Sequence, residues 1–316
     1  MFSLVAVAFA LVFATAEGVV AREQKGPRKR AKPPQWTADV LDVFFDDVRQ
    51  ELVGSRPEYN RTLTETADLG QNQTTTSAAD PAANGTAWSK LIDAETLETE
   101  IKRLADAVTK AVTTPSEFKG GTYNECRRHF TVLAVLFAII AQYDQEIRWQ
   151  DAAPALRDLF ARAGYNCKVG TDQTFQEASR RKQDLVELVR GARPPLQKTE
   201  PAASWKQVAE RPPLMQRLEI AHEERLTKWL AAERQFNDHR DDIRHEAQIV
   251  AAIAEVISRE GFDYWDEEDY ARQVGELRDA ASDVASAVEQ NDYGRARQAI
   301  SRATKACASC HELYRG

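Results

Sequence analysis

The chemistry of this chain is concentrated in its last ten residues. Cys307-Ala308-Ser309-Cys310-His311 is a C-x-x-C-H run, the pattern by which c-type haem is attached. The spacing explains the pattern. On a helix Cys307, Cys310, His311 and Tyr314 stand at i, i+3, i+4 and i+7 and share one face. Each thiol can form a thioether with one haem vinyl group, and the imidazole of His311 then supplies a nitrogen to the iron. Two rival chemistries fit less well. A zinc site needs about four ligands, whereas two Cys and one His cluster here. A thioredoxin-like pair prefers a βαβ setting, which is missing.

The rest of the chain must supply the helices that hold this motif. Its 316 residues are 43% hydrophobic and 29% charged, with a formal net charge of −7. That length leaves room for two domains and linkers. The acidic balance argues against nucleic acid as a partner, and four cysteines are too few for a disulfide-stapled scaffold. Phe2 to Ala16 is an uncharged apolar run of signal-peptide length, with cleavage expected after Ala16 or, alternatively, after Ala21. No Lys or Arg precedes it, so an uncleaved anchor is the rival reading. Either way the body of the protein is expected outside the cytoplasm, periplasmic or secreted. No later stretch is long and apolar enough to be a transmembrane helix.

Residues 17–85 read as a linker. Arg22 to Lys32 is a basic tether, a solvated linker or a loose contact for anionic lipid or an acidic partner. Residues 36–52 have helical apolar spacing with an acidic opposite face. Gly54 to Gly85 is polar, and its sequons at Asn60, Asn72 and Asn84 carry little weight. Beyond it, 86–191 and 204–316 are helical throughout. The first block predicts helices near 87–112, 123–143, 151–163 and 172–190. The second predicts 212–233, 239–260, 267–289 and 293–314, with caps at Asp238, Asp266 and Asn291-Asp292. The expected fold is all-α: two tandem antiparallel four-helix bundles. The blocks read as a duplication. Arg128-His129 lies over Arg244-His245, Trp149 over Trp265, Leu156-Arg157-Asp158 over Leu277-Arg278-Asp279, and ELVRG over the terminal ELYRG.

The ending KACASCHELYRG resembles the C-terminus of class II c-type cytochromes, the cytochrome c′ family. That class carries its haem motif on the fourth helix of a four-helix bundle, often followed by Tyr-Arg. The resemblance covers about 204–316. It implies one covalent haem c in the bundle core, His311 as proximal iron ligand and a periplasmic location. The first block resembles the same fold without the motif, since Lys182, Leu185 and Val186 stand in the places of Cys307, Cys310 and His311. It is expected to be structural or a docking domain. Its Cys126 and Cys167 fall at the same end of an up-down bundle, so a disulfide is geometrically open to them in an exported protein. Two buried free thiols are the alternative.

In this class the first helix covers the distal side of the haem. The resemblance therefore makes Met215 a candidate sixth ligand, and a Met there implies an electron carrier. Leu214 or Leu218 could equally face the ring, which would leave a five-coordinate iron that binds nitric oxide or another small gas. His222 is a lesser candidate ligand, and His239 and His245 are poor ones. Arg315 can pair with a haem propionate. Trp229, Trp265 and Tyr264 are expected to pack around the core. The expected function is one-electron transfer with redox partner proteins, without a catalytic group. The alternatives are gas binding, or an interaction protein acting mainly through the haem-free bundle. Family members often pair as homodimers, a contact that the extra bundle could replace.

Overall fold

The computed structural model describes residues 87–192, 199 and 203–315. The expected signal sequence, basic tether and 36–52 helix, and the three sequons, lie outside the described residues. Every regular element described is helical, and no strand occurs among them. The first set holds α1 (Ala94–Ala111), α2 (Tyr123–Ala141), α3 (Ala153–Asn166) and α4 (Asp172–Val189). The second holds α5 (Arg211–Glu219), α6 (Arg240–Ile257), α7 (Glu268–Glu289) and α8 (Tyr293–Tyr314). A wide-turned π stretch, Ile220–Leu226, and a last turn, Thr227–Trp229, prolong α5. No described helix is long and apolar enough to cross a membrane.

Local chemistry sets most of the boundaries. Asp93 caps α1 by accepting from the Thr96 amide at 2.7 Å, and Thr171 caps α4 through the Thr174 amide at 3.1 Å. Asp292 caps α8 as expected, accepting from the Arg295 amide at 2.9 Å. Such caps satisfy donors that have no partner within the helix. The other two expected caps are corrected. Asp238 ends a separate short helix, Glu233–Asp238, and α6 begins after His239 without a side-chain cap. Asp266 lies one residue early, and Glu267 precedes α7 without a capping bond. Acidic first turns, Asp241-Asp242 and Glu268-Asp269, face the positive ends of these two helices instead.

The second helix of each set is the buried one. Phe130 to Ile140 on α2 and Glu246 to Ile257 on α6 are buried at every position. The α2 stretch is almost wholly apolar, as a helix buried all round tends to be, whereas α6 buries Glu246, Gln248 and Glu255 among its apolar residues. Both are flanked by neighbours on several sides. In the first set α2 packs on α1 and α3, and α1 meets α4. In the second, α6 packs on α7 and on the α5 segment, and α7 packs on α8.

The two sets meet through their first and second helices, reciprocally. The α2 helix of one lies on α5 of the other, and α6 lies on α1. Buried charge marks this seam. Arg217 donates from Nε and Nη2 to Glu100 Oε1 at 3.2 and 3.0 Å, and from Nη1 to Glu246 Oε2 at 2.7 Å. His245 Nε2 lies 2.9 Å from Glu100 Oε2, and Arg225 reaches the other oxygen of Glu246. Glu100, Arg217, His245 and Glu246 are all buried. Burial alone would raise the Glu100 carboxyl, but Arg217 and then His245 outweigh it and hold the group far below the usual carboxylate range. Around the seam, Asp93 also accepts from Gln248 at 3.0 Å and from Arg244. Arg103 pairs with Asp242 at 2.8 Å.

Removing one partner of such a cluster strands a buried guanidinium. Glu100→Ala is therefore expected to destabilise the chain by about 3–5 kcal/mol. The partly exposed Glu98, paired to Lys102 at 3.6 Å, should lose under about 1 kcal/mol on the same substitution. Chemical denaturation of the two variants checks this, and equal losses would contradict it.

Candidate haem site

The α8 helix carries one continuous inward stripe. Ala296, Ala299, Ile300, Ala303 and Ala306 are buried, and Cys307 and Cys310 extend the stripe, partly buried against the core. Helical periodicity puts these positions on one face. Mostly small residues keep that face close to α7 and leave space elsewhere. The motif thus sits on a rigid 22-residue helix rather than on a loop.

Beside Cys307 lies an apolar cavity of about 20 Å³. Leu218, His222 and Leu226 line it from the first helix of the set, Ala281 from α7, and Ala303 and Cys307 from α8. The α5 segment meets α8 only weakly, whereas α1 and α4 pack firmly in the first set. The cavity thus lies at an incompletely filled seam. Comparison of the two sets shows how the space arises. The alignment that lays Leu156-Arg157-Asp158 over Leu277-Arg278-Asp279 lays Phe160 over Ala281. In the first set Phe160 is fully buried and stacks on Phe130 and Phe137, with ring centroids 6.0 and 5.6 Å apart. The first core is plugged by a ring where the second has a methyl group facing a cavity. Lys182, in the place of Cys307, donates to the Val112 carbonyl at 2.8 Å, and Leu185 is fully buried.

The thiols of the motif are held protonated. Burial, then Cys310 and Glu223, push Cys307 up to about 11. Burial also raises Cys310, opposed by Arg211. Catalytic thiols need the thiolate, so burial works against disulfide exchange at this pair. Among the described residues, the group of three ligand atoms within 4.8 Å of one another is Glu100, His245 and Glu246, not the C-x-x-C-H run. Arg217 already occupies those carboxylates, so no cation site remains there.

The other expected site residues fall as follows. His311 and Arg315 are exposed at the end of α8. Met215 is partly buried and packs on the core, but it does not line the cavity. It stands three residues before Leu218 on the same stripe. His222 Nε2 lies 2.8 Å from Thr304 Oγ1, which fixes the antiparallel register of the two helices. Counting back from that pair at 1.5 Å per residue brings Met215 level with His311. His222 also contacts Glu223 at 2.9 Å. His245 belongs to the buried seam, and His239 stacks on Trp229 with centroids 5.1 Å apart. Trp229 packs on the core. Tyr264 and Trp265 do not: they are 42% and 41% exposed, because the turn after α6 carries them to the surface. Tyr264 lies beside Tyr314, with ring centroids 4.9 Å apart.

Sequence reasoning missed Arg211. Its guanidinium lies near Cys310, 5.2 Å from the rings of Tyr264 and Tyr270, and donates to the Asp263 carbonyl. The signal was available, since Arg211 opens the helix that must run antiparallel to α8.

Two thiols and an imidazole on one helix suit a covalent haem by donor chemistry. The cavity beside the first thiol, about 20 Å³, has room for about one water and not for a haem ring. No family model, no curated protein and no solved structure matches the chain.

The plug can be tested directly. Phe160→Ala is expected to cost about 3–5 kcal/mol, the range for removing a buried aromatic ring. A loss below about 1 kcal/mol in chemical denaturation would show that the first set does not depend on that ring.

Proposed function

We propose that this chain is an exported monohaem c-type cytochrome that transfers single electrons between redox partner proteins. The observation that carries the reading is the C-x-x-C-H run itself, which lies on the last helix with Cys307 and Cys310 partly buried against the core.

The haem, when bound, supplies the one-electron iron chemistry. The chain supplies attachment, ligation and shielding. Cys307 and Cys310 each hold a thioether, and His311 is the proximal imidazole. Leu218, Leu226, Val250 and Ala281 keep water from the interior side. Met215, level with His311 on the facing helix, is the proposed sixth ligand. A thioether in that position favours a low-spin iron and a raised potential. The exposed end of α8 and the acidic turn Asp263 to Asp269 suit a partner with a basic face.

One observation favours a second reading. Leu218 lines the cavity and Met215 does not, an arrangement suited to a five-coordinate iron open to nitric oxide or another small gas. Visible spectra of the oxidised and reduced chain, made in a host that attaches haem c, separate the two. The electron-carrier reading expects a low-spin six-coordinate spectrum in both states, turning high-spin on Met215→Leu. A high-spin wild type, with Met215→Leu unchanged, would sink the carrier reading in favour of gas binding.

A further inference from the structure

The first set contains a second pair of cysteines that the haem does not use. Cys126 lies in the first turns of α2, and Cys167 directly follows α3. Contacts along the two antiparallel helices fix their register. Gly164 faces Thr131 so closely that a Cβ on it would stand 2.8 Å from Thr131 Oγ1 and 3.1 Å from its amide nitrogen. Further along, Arg127 and Lys168 grip the same Glu210 carboxylate at 2.8 and 2.5 Å. Beyond them Gly170 abuts Tyr123, where a Cβ would stand 2.6 Å from Cδ1. As the chain steps back from Thr131 to Arg127 to Tyr123, its partner steps forward from Gly164 to Lys168 to Gly170. Cys126 and Cys167 fall opposite each other within this ladder.

The glycines allow the backbones the short approach that a disulfide needs, with Cα atoms about 4.4–6.8 Å apart. Both cysteines are free thiols in the structure and have almost no solvent exposure, 0% and 1%. Burial, then Glu125, push the Cys126 thiol up to about 12. Burial also raises Cys167, and Cys126 adds to it. A buried thiol that stays protonated is a poor nucleophile. The folded dithiol is therefore inert, and oxidation has to come first.

We propose that Cys126 and Cys167 are joined in a disulfide that forms before α3 closes on α2 and is afterwards shielded from reductants by the packed core. Two S–H bonds break and one S–S bond forms. The two electrons and, in net, the two protons pass to a disulfide-bearing oxidant of the compartment, whose own S–S bond breaks and which leaves as two thiols. The proposal shares export with the functional reading, because export supplies that oxidant. It does not depend on the haem. The bridge closes a loop of about 40 residues, long enough for a sizeable constraint on the unfolded chain. It also ties the end of α3 beside Glu210, which leads into α5 of the second set.

The test uses the full chain, isolated from a host that exports it and attaches haem c. It is alkylated in denaturant without reductant and then digested with trypsin. The peptides 120–127 and 163–168 are expected as one cross-linked species, lighter by two hydrogens than the separate pair. Alkylated Cys126 and Cys167 on separate peptides would overturn the proposal. The haem-bearing peptide is read in the same digest, so a missing haem and a missing bridge are told apart. In the folded chain the bridge should resist dithiothreitol and become reducible only in denaturant; ready reduction of the folded chain would overturn the shielding. Cys126→Ser, Cys167→Ser and the double variant should each lower Tm by the same amount, about 10 °C. Losses that add in the double variant would instead mean two independent buried thiols and no bridge.

Discussion

A guanidinium withdrawn from water must be matched on every side, and Arg217 draws its matching carboxylates from both halves of the molecule. Glu100 comes from α1 of the first set and Glu246 from α6 of the second. His245 completes the ring of polar contacts by bonding the far oxygen of Glu100. Burying such a group is unfavourable unless each partner is present and well placed. The cluster thus does little to add net stability, and all of its bonds have to be kept where the two sets meet. Asp93, Gln248 and Arg244 repeat the same logic at the rim of the seam.

That constraint reaches the candidate site through α5. Arg217 lies on α5, so the cluster ties this helix to α1 on one side and α6 on the other, while α5 also packs on α2. The contact of its continuation with α8 is left weak, and the cavity lies at that seam. The wide turns from Ile220 to Leu226 let Leu218, His222 and Leu226 all reach the space. Insertions of this kind occur often at functional sites. The first set has no such freedom, because three stacked phenylalanines fill its centre. One set is filled at its centre by aromatic rings, and the other keeps a small apolar cavity beside the helix that carries the C-x-x-C-H run.

Much of this was legible in the sequence. The all-helical class and most of the helices follow from apolar periodicity, although the expected 212–233 helix divides into α5, the π stretch and a last turn. Asp292 could be read as a cap because its side chain precedes a helix with nothing else to satisfy the first donors. Asp238 and Asp266 looked equivalent, but tertiary packing sets where α6 and α7 begin. Glu100 and Arg217 were not legible. Each is a single charge on an amphipathic helix, and only the meeting of two sets turns those exposed faces into an interior. Tyr264 and Trp265 misled in the opposite sense, since aromatic residues suggest a core and the turn after α6 carries these two outward. The exchange of Phe160 for Ala281 was present in the alignment of the two blocks. Its meaning needed the cavity beside it.

The central claim is that one haem is held covalently by the last helix and none by the first set. Mass spectrometry of the tryptic digest of the exported chain tests it most directly. The account predicts one haem mass on the peptide 306–315, which carries Cys307, Cys310 and His311, and none on any peptide from 87–192. An unmodified 306–315 peptide from chain made in a host that attaches haem c would contradict it.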